Sequence, residues 1–320
     1  MALENEVLLK TILQELESER KLISSAKVKS FIILGIGLAF LIAGTLLGPL
    51  PPLGYVIGGL IVVIGVILNG RTAPAVRSYR NSFKRKAVDA ALKSIDSSLC
   101  IEPEAGMSER EFVNTQLFTA SPDRFNSEDQ VTGKAGKTSF AFSEVNAEYK
   151  TVTTDNKGRR QEQWHEILKG IVFTADFNKN FNGVTVVRPN DIGSKIGGWI
   201  QKAVPVFFSK QSTRVELENT NFTETFLVHS TDQVEARYIL TPAMMDKICE
   251  LDSKCRYTIS LSFINTRLYI AFPLTENYFE PPIYKSLLKP SCMERDISVI
   301  RFMYGIVKEL DLNTRIWGKE

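Results

Sequence analysis

Between Lys29 and Arg71 the chain carries no charged residue. This run opens at Phe31, continues to Leu47, breaks at Gly48-Pro49-Leu50-Pro51-Pro52 and resumes from Leu53 to Leu68. A helix needs about 20 apolar residues to cross a bilayer, with about 17 the lower limit, and each half meets that only barely when its whole charge-free run is counted. One continuous helix is excluded, because Pro51 and Pro52 lack amide donors and push their predecessors out of the α region. The stretch therefore predicts a two-helix transmembrane hairpin. The alternative is a buried hairpin of a soluble core, where charge-free spans of this length seldom occur. Gly44 and Gly48 stand four apart, as do Gly54 and Gly58, and Gly35, Gly37, Gly59 and Gly65 add small positions. Such spacings let membrane helices approach closely. Packing of the two spans on each other is the expected use, with a homo-oligomer as the alternative. No ionisable residue lies inside either span, so an ion path is unsupported.

Charge then orients the hairpin. Arg20, Lys21, Lys27 and Lys29 precede it; Arg71, Arg77, Arg80, Lys84, Arg85, Lys86 and Lys93 follow it, opposed only by Asp89. The turn carries none, so the positive-inside rule places both termini in the cytoplasm. Net charge is only +3, which excludes a global nucleic-acid signal. Cys100, Cys249, Cys255 and Cys292 lack the spacing of a zinc site and read as reduced cytosolic thiols; no metal or cofactor is expected. The first span begins too far from Met1, and is followed too closely by a second, to be a cleaved signal peptide.

Four divisions follow: an amphipathic helix (1–29), the hairpin (30–69), a basic juxtamembrane helix and linker (70–110), and a cytoplasmic α+β domain (111–320). In the first, Leu9, Ile12, Leu16 and Ile23 form one stripe with Leu13 beside it, while Glu15, Glu17, Glu19, Arg20 and Lys21 take the other side. In the third, Val76, Tyr79, Phe83, Ala87 and Ala90 lie on one side, and the basic face would attract anionic lipid at about 1 kcal/mol per residue, with a positive-inside topology signal alone as the alternative. Ser108 with Glu111 makes a capping box for a short helix. Further on, strands are expected at 139–143, 145–153, 163–176, 184–187, 214–217, 226–228, 257–263 and 267–272. Helices are expected at 241–251, with Pro242 in its first turn, and at 293–310. Paired strands and separate helices point to a mainly antiparallel sheet with flanking helices.

Two motifs fail on inspection. Gly133-Lys134-Ala135-Gly136-Lys137-Thr138 imitates a phosphate loop, but Val131 stands where its first glycine belongs and a strand follows, so a hairpin turn is expected. Asp176 to Asn180 imitates a calcium loop, but Phe181 and Val187 replace the required glycine and glutamate. The densest polar cluster holds His229, Asp232, Glu235 and Arg237. These are the candidate catalytic groups, yet Asp232 followed by Glu235 reads first as a helix cap, with Arg237 pairing either acid. His165, beside Trp164, shows no nearby partner. Ile192, Ile196, Trp199, Ile200 and Ala203 lie on one helical face, followed by Phe207 and Phe208 and bordered by Lys195, Lys202 and Lys210. The candidate membrane-contact residues are Lys195, Trp199, Ile200, Lys202, Phe207 and Phe208; packing in the core is the alternative.

Phe173-Thr174-Ala175-Asp176-Phe177-Asn178-Lys179-Asn180-Phe181, Ser230 to Pro242, Leu268-Tyr269-Ile270-Ala271-Phe272-Pro273 and Phe279-Glu280-Pro281 together resemble an uncharacterised bacterial membrane-protein family, domain of unknown function 3137. The resemblance implies a bacterial inner-membrane setting and brings no activity. The expected function is a membrane-anchored binding or scaffold module engaging a protein partner or lipid headgroups at the inner face. The alternative is an enzyme acting on a membrane-linked or phosphorylated substrate through Asp232, Glu235 and Arg237.

Overall fold

The computed structural model describes residues 2–46, 52–154, 158–177, 180–190, 212–289, 291–310 and 312. The chain is α+β and divides into two compact units, Met1–Ser94 with Phe279–Arg295, and Ile95–Tyr278 with Asp296–Glu320.

In the first unit α1 (Ala2–Leu46) and α2 (Pro52–Arg71) are both long and apolar enough to cross a membrane. Of the expected break, residues 48–51 lie outside the described set and Pro52 opens α2. No proline or glycine lies between Ser25 and Phe31, so the amphipathic N-terminal helix and the first apolar span form one element of 45 residues. Small residues mate the two helices. A Cβ on Gly37 would lie 2.8 Å from Val62, one on Gly58 2.6 Å from Leu41, and one on Gly65 2.9 Å from the backbone of Leu34. Ile32, Ile36, Leu53, Val56 and Leu60 are exposed on the outer faces.

The basic stretch folds as α3 (Ala73–Phe83), a π-turn over Lys84–Val88, and α4 (Asp89–Ile95). Of the residues expected on one side, Val76, Tyr79, Phe83 and Ala87 are buried, but Ala90 is only half-buried and Val88, Ala91 and Leu92 take the core positions around it. The wider π-turn holds an extra residue and so rotates the stripe.

On α1, Leu16 and Ile23 are buried, and so are Glu17 and Arg20, which the helical pattern placed outside. Each charge is answered. Arg20 Nε and Nη2 donate to the Glu17 carboxylate at 2.9 Å, and Nη1 donates to the Ile283 carbonyl at 2.8 Å. The Leu287 amide and the Ser286 hydroxyl donate to Glu17 at 2.9 and 3.1 Å. Lys84, also buried, pairs with Glu280 at 2.9 Å, and the Tyr79 hydroxyl donates to the Pro282 carbonyl at 3.1 Å. The Phe279–Arg295 segment is thus stitched to the helices by charged hydrogen bonds.

The second unit holds a nine-stranded antiparallel sheet built from β1 (Cys100–Glu102), β2 (Arg124–Ala135), β3 (Thr138–Thr154), β4 (Arg160–Asp176), β5 (Val184–Pro189), β6 (Thr213–Arg214), β7 (Phe226–Ser230), β8 (Ser260–Ile264) and β9 (Arg267–Pro273). Its spatial order is β1-β2-β3-β4-β9-β8-β5-β7-β6. The short helices are α5 (Glu109–Asn114), α6 (Thr220–Thr225), α7 (Gln233–Ile239) and α8 (Pro242–Ser253), and α9 (Ser291–Glu309) ends the described helices. The failed phosphate-loop motif is indeed a hairpin turn: Ala135 pairs with Thr138, and Gly136 takes a φ of 65°. One face of the sheet packs on α9 through Phe140 against Tyr304 and Phe272 against Phe302. At one end of the other face, Met107, Phe112 and Leu117 cover Val145, Ala147, Leu168, Val172 and Ala271. Ser108 caps α5 by accepting from the Glu111 amide at 3.1 Å.

Candidate functional site

The residues singled out from sequence lie at the end of β7 and the start of α7. Asp232 is extended at the cap position, and its carboxylate accepts from the Val234 and Glu235 amides, both at 2.9 Å. Glu235 is buried and reaches elsewhere, accepting from the Asn182 and Gly183 amides at 3.1 and 2.8 Å. It therefore fixes the turn that leads into β5. Arg237 donates to the Gln233 carbonyl at 3.3 Å instead of taking the acid partner expected for it.

His229 opens onto a different place, a cavity of about 140 Å³ also lined by Gln116, Arg188, Ser212 and Thr231. Asp232 and Glu235 are not among the residues that line it, so the imidazole faces this cavity without the two acids. Burial, then the charges of Arg188 and Arg214, hold the His229 pKa down at about 4. The imidazole is accordingly neutral at pH 7. Burial also pulls the Arg188 guanidinium down to about 10, while its Nη2 donates to the Gln116 carbonyl at 2.7 Å. His165 does have partners: it stacks on Tyr149 with centroids 4.9 Å apart, and its Nε2 lies 2.8 Å from the Thr151 hydroxyl. Lys195, Trp199, Ile200, Lys202, Phe207 and Phe208 lie outside the described residues, as do Asn178 and Lys179 of the calcium-like stretch.

Two features escaped the sequence reading. Carboxylate oxygens of Glu128, Asp129 and Glu144 lie within 4.8 Å of one another. The β2–β3 register sets Glu128 opposite Glu144, and a bulge after Glu128, with Asp129 at φ 57°, turns the third acid in. Oxygen donors of this kind suit a hard cation, though Glu144 already accepts from the Tyr278 amide at 2.6 Å.

The second feature is a groove of about 720 Å³ on the sheet face that α5 covers only at its other end. Thr132, Ala141 and Thr174 are neighbours in one row across β2, β3 and β4 and form its floor. Lys134, Ser139, Asp176 and Arg267 stand one step along the strands and form its rim. Hydroxyls and charges converge here from four strands, and only the sheet order reveals it.

Residues 166–312 match the family described as "Protein of unknown function (DUF3137)", which bears out the resemblance over that part of the chain. No curated protein matches. Among solved structures, the crystal structure of the mycobacterial trehalose monomycolate transport factor A, TtfA, is similar at 10% identity with a TM-score of 0.36, covering 71% of this chain and 94% of that one. Similarity at that level carries no inference about function.

Proposed function

We propose that the chain is a multi-pass protein of the bacterial inner membrane, with both termini cytoplasmic, that works as an anchored binding or scaffold module for lipid headgroups or a protein partner. The observation that carries this reading is the hairpin. Its inner faces are mated through Gly37, Gly58 and Gly65, while large aliphatic side chains cover its outer faces, a pattern costly in water and favourable in lipid. The commitment of Asp232 and Glu235 to backbone amides supports binding over the enzyme alternative, since both carboxylates already serve as acceptors that hold local structure. Residues 30–69 act as the anchor, 70–110 as the basic juxtamembrane stretch and 111–320 as the binding domain. Within that domain, Trp199, Ile200, Phe207 and Phe208, flanked by Lys195 and Lys202, touch the membrane surface.

Cysteine-accessibility labelling in intact cells tests the arrangement. Sites introduced at Gly48 to Pro52 should react with an impermeant reagent, and sites near Lys93 and Glu320 should react only after permeabilisation. External labelling near Glu320 overturns it.

A further inference from the structure

We propose that the groove across β2, β3 and β4 binds a small zwitterion, a phosphate ester carrying a primary amine, with its phosphoryl oxygens on Thr174 and Lys134 and its ammonium on Asp176. Thr174 is the observation that points to a ligand. It is only 7% exposed, and its Oγ1, buried in the floor of the groove, makes no hydrogen bond among the described residues. Native proteins rarely leave a buried hydroxyl so, because desolvation without a partner is unfavourable. Its row neighbour Ala141 is small, so β3 places no large side chain over the floor beside Thr174.

The rim supplies the charges. Lys134 is exposed at the end of β2 and makes no ion pair among the described residues. Ser139 and Thr132 are exposed beside it and add two hydroxyl donors, an arrangement that suits a tetrahedral anion better than a planar one. The hydroxyl of Ser98 is excluded from this set, because it is already bonded to the Lys134 backbone at 3.1 Å. On the far side, Asp176 stands opposite Arg267 in register. Arg267, however, leans toward Glu111, 3.9 Å away, and toward the Tyr269 hydroxyl. That leaves the Asp176 carboxylate for a cation. Two inter-strand steps separate Lys134 from Asp176, about 10 Å, and the flexible lysine stem shortens the gap to the length of an aminoethyl phosphate held at both ends.

Such a group is either the headgroup of an amine-bearing phospholipid or a free phosphate ester. The inference deepens the binding-module reading and rests on it, but the two fail separately: association of the full chain with vesicles reports on α1 and α2, whatever the groove does.

Calorimetric titration of the full chain in detergent micelles with O-phosphoethanolamine, and separately with dihexanoyl phosphatidylethanolamine, tests it. Saturable binding is expected, and binding of the lipid without the free ester would assign the lipid as the source. Thr174→Val, which keeps the shape and removes the hydroxyl, should weaken binding about tenfold, with an unchanged or higher melting temperature. Lys134→Gln, on the exposed rim and outside the core, should weaken it comparably. Asp176→Asn should abolish the preference over inorganic phosphate. No saturable binding by the native chain at millimolar concentration overturns the assignment, and so does equal affinity in Thr174→Val and Lys134→Gln.

Discussion

Asp232 and Glu235 stand one helical turn apart, yet they hold different backbone segments. Asp232 answers the free amides at the start of α7. Losing such a cap costs about 0.5–2 kcal/mol, so Asp232→Ala should lower the melting temperature of the full chain in detergent. If that variant melts like the parent yet fails in cells, the residue has a role beyond the cap. The capping reading from sequence was right for Asp232 and incomplete for Glu235, whose amide partners lie 52 and 53 residues away. Short-range spacing cannot encode that contact. His229 gives the pH-dependent counterpart. Its folded pKa, about 4, lies below its ordinary value, because burial and two guanidiniums disfavour the imidazolium. Unfolded chain therefore takes up this proton near pH 6.5 and folded chain only near 4, so the stability it contributes is complete above about 6.5 and is lost as pH falls toward 4. His229→Gln should flatten the dependence of the denaturation midpoint on pH across that window. An unchanged slope would remove His229 as its source.

Among elements, α1 shows most clearly what periodicity can and cannot place. Leu16 and Ile23 were legible as an inward stripe; Glu17 and Arg20 were not, because a charged residue reads as outward until its partners are known. Those partners, Ile283, Ser286 and Leu287, come from the far end of the chain. Buried pairs add little net stability, but removing one member strands the other. Arg20→Met should thus cost about 3–5 kcal/mol, and Glu17→Gln combined with Arg20→Met should recover much of it. Additive losses in melting experiments on the single and double variants would show that the two residues act independently. The strands tell a similar story. The β8–β9 and β2–β3 turns were readable from Asn265-Thr266 and Gly136, because two-residue turns demand particular backbone angles. The pairing of β5 with β8 and of β4 with β9 was not, since no local signal specifies which strands meet across long loops. The groove depends on just that order.

For the whole molecule, the same basic residues carry two different expectations, and the structure separates them. Attraction to anionic lipid depends on charge left over after pairing. Arg80 and Lys84 bind Glu280, Lys86 binds Glu15 and Lys93 binds Asp89, so Arg71, Arg77 and Arg85 are the exposed cations of this stretch that make no ion pair among the described residues. At about 1 kcal/mol each, these three should account for most of any preference for anionic lipid. Orientation in the membrane follows a different count, because lysines and arginines near the span set it and neighbouring acids contribute little. Replacing Arg71, Arg77 and Arg85 together by Gln should therefore abolish selective retention of anionic over zwitterionic lipid, read by native mass spectrometry of the purified protein. It should leave both termini where they were, because Arg80, Lys84, Lys86 and Lys93 still follow α2 and Arg20, Lys21, Lys27 and Lys29 still precede the apolar part of α1. Labelling of a cysteine near Glu320 in the triple variant decides the second half. If that site becomes accessible from outside, the three arginines hold the topology themselves, and the paired cations do not count toward it.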